Sequence, residues 1–266
     1  MDISRNGTQR AQPEKRVLIS SQNVNKQFAT KSGPVDVLSD VNFTISENSF
    51  TIIFGPSGSG KSTLLNVLTG LEPPTSGTLE VAGEKVYNLD SDRRTQFRAK
   101  HMGIVHQQNY WVKSLSVLEN VAMPLYFLGS TKEDAIKAAN ESLELVGMAK
   151  FASSRPTVLS GGQQQRVSMA RALVASPDLI LADEPTGSLD SKNGRMIMDL
   201  LLSCLKSLGR TVVLITHNIE YLPMSDKQLY IADGRVRESS RGQEVPPEIM
   251  QSLENQMNEL KAMGRG

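Results

Sequence analysis

The sequence contains very few of the residues that build disulfide frameworks or zinc clusters. Of its 266 residues, one is cysteine and three are histidine. A disulfide within the chain is therefore excluded, and a Cys/His zinc cluster is not expected. The single cysteine, Cys204, lies in an apolar helical pattern that is typical of a small core residue.

Long apolar runs and an excess of charge of one sign are also missing. The longest apolar run, residues 211–216, is far shorter than the ~20 residues that a spanning helix needs. Residues 1–16 are polar and lack the apolar stretch of a secretory signal. The formal net charge is only +1, so no nucleic-acid partner is expected. These features predict a cytoplasmic chain that contacts a membrane only through a partner, as a peripheral subunit.

The order of apolar segments predicts an α/β fold. Residues 1–16 have no period and are expected to be a flexible leader. Within residues 17–238, short apolar strands alternate with helices on either side of an all-helical insert at about 107–165, which predicts a doubly wound parallel core. Residues 239–266 are expected to form a tail with a short helix, whose apolar side chains could fold back on the core, pair with a partner or a second copy, or fray. Those side chains are Met250, Leu253, Met257, Leu260 and Met263.

A glycine-rich loop carries the strongest chemical signal. Residues 55–62 read Gly-Pro-Ser-Gly-Ser-Gly-Lys-Ser, which fits the P-loop pattern G-x-x-x-x-G-K-[ST] between a predicted strand and a predicted helix. In that context backbone N–H groups and the helix N-terminus bind phosphate. Lys61 is predicted to reach the terminal phosphates and Ser62 to ligate Mg²⁺. The full set of predicted P-loop residues is Gly55, Pro56, Ser57, Gly58, Ser59, Gly60, Lys61, Ser62 and Thr63.

Two adjacent carboxylates follow a buried strand. Residues 179–182 are apolar and deliver Asp183 and Glu184 at the carboxyl end of the strand, where open parallel sheets bind ligands. Together with a P-loop, Asp183 is predicted to hold Mg²⁺ and Glu184 to polarise the attacking water.

A second glycine-rich helix start indicates the family. Ser160, Gly161, Gly162 and Gln163 follow Leu159 in the string LSGGQ, and with this string the sequence resembles the ABC transporter ATPases. The resemblance covers residues 17 to about 237. It implies a RecA-like P-loop core with an N-terminal antiparallel β subdomain and an inserted α-helical subdomain. It also implies a head-to-tail dimer of two copies, in which residues 160–163 of one copy close over the ATP of the other.

Other motifs of that family appear in order, and the resemblance gives them roles. Gln107 matches the glutamine that approaches Mg²⁺ and the attacking water, although the adjacent Gln108 leaves the register open by one residue. Asp190 matches the interface loop after the carboxylates, and His217 matches the histidine that contacts the γ-phosphate. Phe28 matches the aromatic residue that stacks on adenine, but could equally be a core residue.

The resemblance implies an ATP-hydrolysing subunit that works with integral membrane subunits. Within the family the sequence is most similar to MacB/LolD-type exporters, which implies export or extraction of a substrate. The alternative is an ATPase of a non-transport membrane machine that regulates the cell envelope or division. One stretch departs from the family: Tyr110 and Trp111 border the groove that receives a membrane subunit in such proteins. They could anchor a partner, or Trp111 could fill the core of the helical subdomain.

Overall fold

The computed structural model describes residues 16–240. The predicted leader up to residue 15 and the tail from residue 241, including its methionine stripe, lie outside the described residues. Two sheets and a helical layer make up the described part. Within it, no helix combines the length and the apolar character needed to cross a bilayer.

The first sheet is antiparallel and lies in the N-terminal part of the chain. Its strand order is β2-β1-β4-β5, formed by β1 (Val17–Thr30), β2 (Gly33–Ser46), β4 (Ser76–Val81) and β5 (Glu84–Lys85). β1 and β2 are each 14 residues long, much longer than the short apolar runs in their sequences indicate. Their pairing shifts register at several points, and Asn23 and Asp40 have positive φ angles. Bulges of this kind interrupt the apolar–polar alternation and so hide the length of a strand.

The second sheet forms the centre of the fold. Its order is β10-β9-β3-β8-β7-β6, and all neighbours are parallel except the edge strand β10, which pairs antiparallel with β9. The strands are β3 (Phe50–Phe54), β6 (Met102–Val105), β7 (Leu179–Asp183), β8 (Thr211–Ile215), β9 (Lys227–Ala232) and β10 (Arg235–Ser240). Asp233 and Gly234 connect β9 to β10 with φ angles of 48° and 70°, as a tight Asp-Gly hairpin requires.

Alternate residues of the central strands build two separate cores. Ile52, Ile180 and Val212 point to one face and pack with helices α5 and α6, given below. Ile53, Leu181 and Val213 point to the other face and pack with α1 and the antiparallel sheet. A parallel sheet buried on both faces explains why its strands are continuous apolar runs. The fold class predicted from the sequence, a doubly wound P-loop core with an antiparallel β subdomain and a helical insert, is confirmed.

Between residues 16 and 240, six α-helices begin and end close to the residues that the sequence pattern indicates. They are α1 (Lys61–Leu68), α2 (Ser91–His101), α3 (Val117–Phe127), α4 (Lys132–Leu145), α5 (Gly161–Leu173) and α6 (Ser191–Leu208). Short 3-10 turns occupy Val86–Asn88, Ala149–Phe151, Pro156–Val158 and Ile219–Met224. α3, α4 and the first part of α5 pack on one another through Val121, Ala139 and Leu143, and they form the helical insert. The residue limits given for the domain and the insert stay a prediction.

Candidate nucleotide-binding site

Four neighbouring parallel strands deliver the predicted site residues to one edge of the central sheet. In the order β3-β8-β7-β6, the strands are followed by the P-loop, by His217, by Asp183 and Glu184, and by Gln107. The ends are level, since Ile53 and Asp183 both pair with Ile215. Residues as far apart in the chain as Gly55 and His217 are thereby brought to a single edge, which is where open α/β sheets bind ligands.

The P-loop leaves the N-terminus of α1 without a side-chain cap. The N-cap residue is Gly60, whose φ of 104° is in the left-handed region, and no side chain accepts a hydrogen bond from the first turn. The other five α-helices of the described part are each capped by a side chain: Asp90, Ser116, Thr131, Ser160 and Asp190. The free N–H groups of α1 are therefore the donors available to a phosphate at this edge.

Packing explains why Gly60 has to be glycine. A Cβ at this position would lie 2.9 Å from the carbonyl oxygen of Val37 in β2, and its φ angle disfavours any L side chain. The close approach of β2 also places the antiparallel sheet beside the P-loop. This contact brings the two subdomains together at the site.

Lys61 lies across the P-loop. Its Nζ donates hydrogen bonds to the carbonyl oxygens of Gly55, at 2.9 Å, and Pro56, at 2.7 Å. Burial lowers the pKa of Lys61, and the negative charges of Glu184 and Asp183 oppose that shift. The ammonium group thus lies in the field of both carboxylates, although these follow a different strand.

Asp183 ends β7 and is partly buried. Burial raises the pKa of its carboxyl group, as does the neighbouring charge of Glu184, while Lys61 lowers it. A carboxylate held in this way gains stabilisation from a cation at the same edge. The carboxylate of Asp183 and the hydroxyl of Ser62, which follows Lys61, are oxygen ligands that suit Mg²⁺. This ion binds in proteins through one or two carboxylates plus substrate phosphates.

Glu184 is tied to the end of the next strand by three hydrogen bonds. Its Oε1 lies 2.7 Å from Nδ1 of His217, its Oε2 accepts from the hydroxyl of Thr216 at 3.2 Å, and its backbone N–H donates to Ile215 at 2.9 Å. Its φ angle is 44°, an uncommon conformation for a residue other than glycine. Thr216 was not among the predicted site residues; the position directly before His217 was the only signal for it.

The contact with Glu184 makes the stability of the chain depend on pH. The hydrogen bond to Glu184 is the main reason that the pKa of His217 is raised, and burial partly opposes it. The pKa of His217 in the folded chain exceeds its unfolded value of about 6.5. The stabilisation of the fold by the contact with Glu184 is therefore fully present below about pH 6.5 and is lost as the pH rises through the folded pKa. We expect His217→Gln to lower the melting temperature more at pH 5.5 than at pH 8.5.

Thermal unfolding of both chains over this pH range is the measurement. In a Glu184→Gln background the same substitution should show a much weaker pH dependence, since the partner charge is gone. If His217→Gln lowered the melting temperature equally at both pH values in the parent chain, Glu184 would not be the cause of the raised pKa of His217.

Gln107 lies on the far side of the carboxylates. It follows β6, is exposed, and its amide nitrogen is 3.5 Å from the position that a Cβ on Gly187 would occupy. Gly187 in turn donates a backbone hydrogen bond to the carbonyl oxygen of Glu184. This contact places Gln107 beside the loop that follows Glu184, and it favours Gln107 over Gln108 as the site residue.

Phe28 lies on β1 opposite Val35 of β2, in the same sheet that approaches Gly60. One face of its ring is 4.7 Å from the ammonium group of Lys26. Lys26 is itself buried and forms an ion pair with Glu72 at 2.8 Å. Phe28 is only half-buried, so it is not a core residue. Lys26, which covers one face of its ring, was not among the predicted site residues.

A stacking role for Phe28 has a measurable consequence. Stacking of a base on an aromatic ring contributes about 1–3 kcal/mol, so Phe28→Ala should weaken ATP binding roughly 5- to 150-fold. Phe28→Tyr keeps the ring and should bind within about threefold of the parent, which is under 1 kcal/mol. Titration with a fluorescent ATP analogue compares the three chains, and equal affinity of all three would exclude stacking at this position.

Residues 160–163 lie against the loop that begins α6. Ser160 caps α5 in a reciprocal capping box with Gln163. A Cβ on Gly162 would lie 2.5 Å from the side chain of Asn193, and Asn193 donates to Asp190 at 2.6 Å. Asp190 also accepts hydrogen bonds from the first turn of α6. Within one copy, Asp190 therefore acts as a helix cap beside the LSGGQ string.

Comparison with known proteins adds the family. The sequence profile described as "ABC transporter" matches residues 38–187, more than half of the chain. The chain belongs to the ABC transporter family. Its P-loop, its two carboxylates and its LSGGQ string are those of an ATP-binding subunit, and the chain is an ATPase.

Individual relatives are similar over most of this ABC transporter subunit. The lipoprotein-releasing system ATP-binding protein LolD of Pseudoalteromonas translucida is 41% identical over 83% of the chain and 95% of LolD. The uncharacterized ABC transporter ATP-binding protein MJ0796 of Methanocaldococcus jannaschii is 41% identical over 84% of the chain and 97% of that protein. The macrolide export ATP-binding/permease protein MacB 2 of Yersinia pestis is 38% identical over 87% of the chain, which spans 34% of MacB 2.

Solved structures agree with this assignment. A dimeric structure of MJ0796 in a post-hydrolysis state, bound to ADP and Pi, superimposes with a TM-score of 0.79 at 41% identity and covers 85% of the chain and 100% of that protein. Nucleotide binding and hydrolysis are thus shown for a relative whose fold is the same over nearly all of residues 16–240.

Proposed function

We propose that this ABC transporter subunit hydrolyses ATP as a head-to-tail dimer and drives export or extraction of a substrate through integral membrane subunits. The observation that supports this best is the order of site residues along the strand ends β3-β8-β7-β6. Along these ends lie the uncapped start of α1, His217, Asp183 with Glu184, and Gln107. The similarity to LolD and MacB 2 supports work on lipoproteins or exported compounds, at the cytoplasmic face of the membrane.

In this proposal ATP binds between Phe28 and the P-loop, with Lys61 on the terminal phosphates. Ser62 and Asp183, with Gln107 nearby, would hold Mg²⁺, which would neutralise part of the phosphate charge. Glu184 accepts a proton from the attacking water. His217 fixes the orientation of that carboxylate through the 2.7 Å contact.

The second copy completes the site through Ser160 to Gln163. In the capping box the hydroxyl oxygen of Ser160 accepts from Gln163 N–H at 3.4 Å, so its proton remains available for donation to a phosphate oxygen. The first-turn N–H groups of α5 add the favourable potential of a helix start. Closure on ATP and reopening after hydrolysis would move the helical subdomain and the attached membrane subunits.

Nucleotide-dependent dimerisation tests this proposal. Glu184→Gln should run as a monomer of about 29 kDa with ADP and as a dimer with ATP and Mg²⁺ in size exclusion. Gly162→Ala in the same chain is the matched control. Its Cβ would meet Asn193 at 2.5 Å, which should disturb the LSGGQ surface and keep the chain monomeric although ATP still binds. A Glu184→Gln chain that binds ATP yet stays monomeric would contradict the dimer.

A further inference from the structure

Lys26 is a buried cation in an unusual place, the antiparallel sheet beside the P-loop. Of the lysine, arginine, aspartate and glutamate residues between 16 and 240, only Lys26 is buried. Its Nζ pairs with Oε1 of Glu72 at 2.8 Å and donates to the carbonyl oxygen of Pro73 at 2.8 Å. An ammonium group has three N–H donors, so one remains for the face of the Phe28 ring, whose centroid is 4.7 Å away.

The ring of Phe28 has little other support. Within the described part of the chain it belongs to neither apolar core and to no pair of aromatic rings in contact. Its cross-strand neighbour is Val35, which is itself 47% exposed. The ammonium group on one face is therefore the contact that holds the ring, and it leaves the opposite face for a ligand.

The partners of Lys26 connect this ring to the phosphate-binding helix. Glu72 and Pro73 lie in the loop between α1 and β4. The backbone N–H of Glu72 donates to the carbonyl oxygen of Asn66, in the second half of α1, at 3.1 Å. The N-terminus of the same helix is the uncapped start that follows the P-loop. Lys26 thus fixes the Phe28 ring relative to the helix that would bind the phosphates of the same nucleotide.

A purely structural role explains Lys26 less well. The backbone already joins β1 to this loop, since Thr75 N–H donates to the carbonyl oxygen of Asn25 at 2.7 Å and residues 19–25 of β1 pair with β4. Apolar side chains in place of a buried ion pair are often as stable or more stable, so stability alone does not call for a lysine here. The contact with the Phe28 ring is what a cation adds at this position.

We propose that Lys26 is a positioning residue for the nucleotide base: it holds the Phe28 ring in place before the nucleotide arrives, and the base stacks on the opposite face. The inference rests on the proposed function, in which Phe28 stacks on adenine. A side chain that is already ordered does not lose its freedom on binding, and the affinity rises accordingly. Lys26 should therefore strengthen the binding of nucleotides and not that of phosphate chains that lack a base.

Calorimetric titration of the full chain with ADP and with inorganic tripolyphosphate tests this role, because only ADP has a base. Lys26→Met keeps the length of the side chain and removes the charge. It should weaken ADP binding roughly 3- to 10-fold, the equivalent of ordering one side chain, and leave tripolyphosphate binding unchanged. Lys26→Arg keeps a cation that can lie over the ring and should restore most of the ADP affinity. Lys31→Met is the matched control, since Lys31 is exposed in the turn of the same hairpin, and it should bind both ligands like the parent.

Two further variants separate positioning from damage to the fold. Lys26→Met combined with Glu72→Met leaves no unpaired carboxylate and should show the same loss for ADP alone. In a Phe28→Ala background, Lys26→Met should have no further effect on ADP affinity, because the ring through which it acts is gone.

The outcomes distinguish the inference from the proposed function. If Phe28→Ala weakens ADP binding but Lys26→Met does not, the inference is overturned and the stacking role of Phe28 stands. Equal losses for ADP and tripolyphosphate in Lys26→Met, or an undiminished loss in the Phe28→Ala background, would also overturn it. If Phe28→Ala binds ADP like the parent, the stacking role in the proposed function fails, and the inference with it.

Discussion

Glu184→Gln should lower the rate of ATP hydrolysis by roughly 10²–10⁴-fold, the usual contribution of a positioned general base. Glutamine has the same shape but cannot take a proton from water. Glu184 bonds Thr216 and His217 through different carboxylate oxygens. In glutamine the amide oxygen can keep one of these hydrogen bonds and the amide NH2 can donate to the hydroxyl of Thr216 or to a neutral Nδ1 of His217, so the loop geometry should survive. ATP affinity is therefore expected to stay within a few-fold of that of the parent chain.

Steady-state phosphate release and titration with a fluorescent ATP analogue together measure this effect. Thr216→Val is an informative companion, since it removes one hydrogen bond to Glu184 and leaves the base in place. We expect about a tenfold loss of rate for Thr216→Val, the equivalent of about 1.4 kcal/mol in barrier height. If Glu184→Gln retained more than a tenth of the parent rate, Glu184 would not be the base, and the neighbouring carboxylate of Asp183 would have to take that role.

The parts of the site that sequence reasoning predicted are those encoded locally. The P-loop contains its own glycines, lysine and helix start within eight consecutive residues, so its geometry follows from a short string. The strand before Asp183 and Glu184 is likewise a single apolar run. Parallel strands buried on both faces produce such runs wherever they occur, which is why the central sheet was predictable.

Contacts between distant segments were not predictable in the same way. The pairing of Glu184 with His217 joins the ends of β7 and β8. Lys26, which lies over the ring of Phe28, pairs with Glu72 from the loop between α1 and β4. The sequence allows two roles for Trp111, an anchor for a partner or a core residue of the helical subdomain. The structure packs its ring against Arg171 and Gln164 of α5, whereas Tyr110 next to it stays exposed. Trp111 is partly buried, and Tyr110 beside it has a positive φ angle of 44°. Nothing in the composition of the segment predicts that angle for a tyrosine.

Lys61→Met should weaken ATP binding by roughly one to two orders of magnitude, because a charge-assisted hydrogen bond of about 1.5–3 kcal/mol disappears. The loss should be smaller than complete, since the uncapped N–H groups of α1 remain as phosphate donors. Hydrolysis should fall further than binding, by at least 10³-fold, because the developing charge on the transferred group loses its nearest cation. Binding of a fluorescent ATP analogue and steady-state ATPase rates separate the two effects.

Lys61→Arg distinguishes charge from geometry. The ammonium group of Lys61 fits between the carbonyl oxygens of Gly55 and Pro56, 2.9 and 2.7 Å away, and a planar guanidinium cannot occupy that position in the same way. We therefore expect Lys61→Arg to resemble Lys61→Met in hydrolysis although its charge is retained. Without nucleotide, Lys61→Met should have a melting temperature close to that of the parent chain, because two effects oppose each other. Removing the partly buried charge relieves its desolvation cost, but it also deprives Asp183 and Glu184 of a neighbour of opposite sign. Recovery of the parent rate by Lys61→Arg would show that charge alone suffices, and that the fit of Lys61 within the P-loop is not required for catalysis.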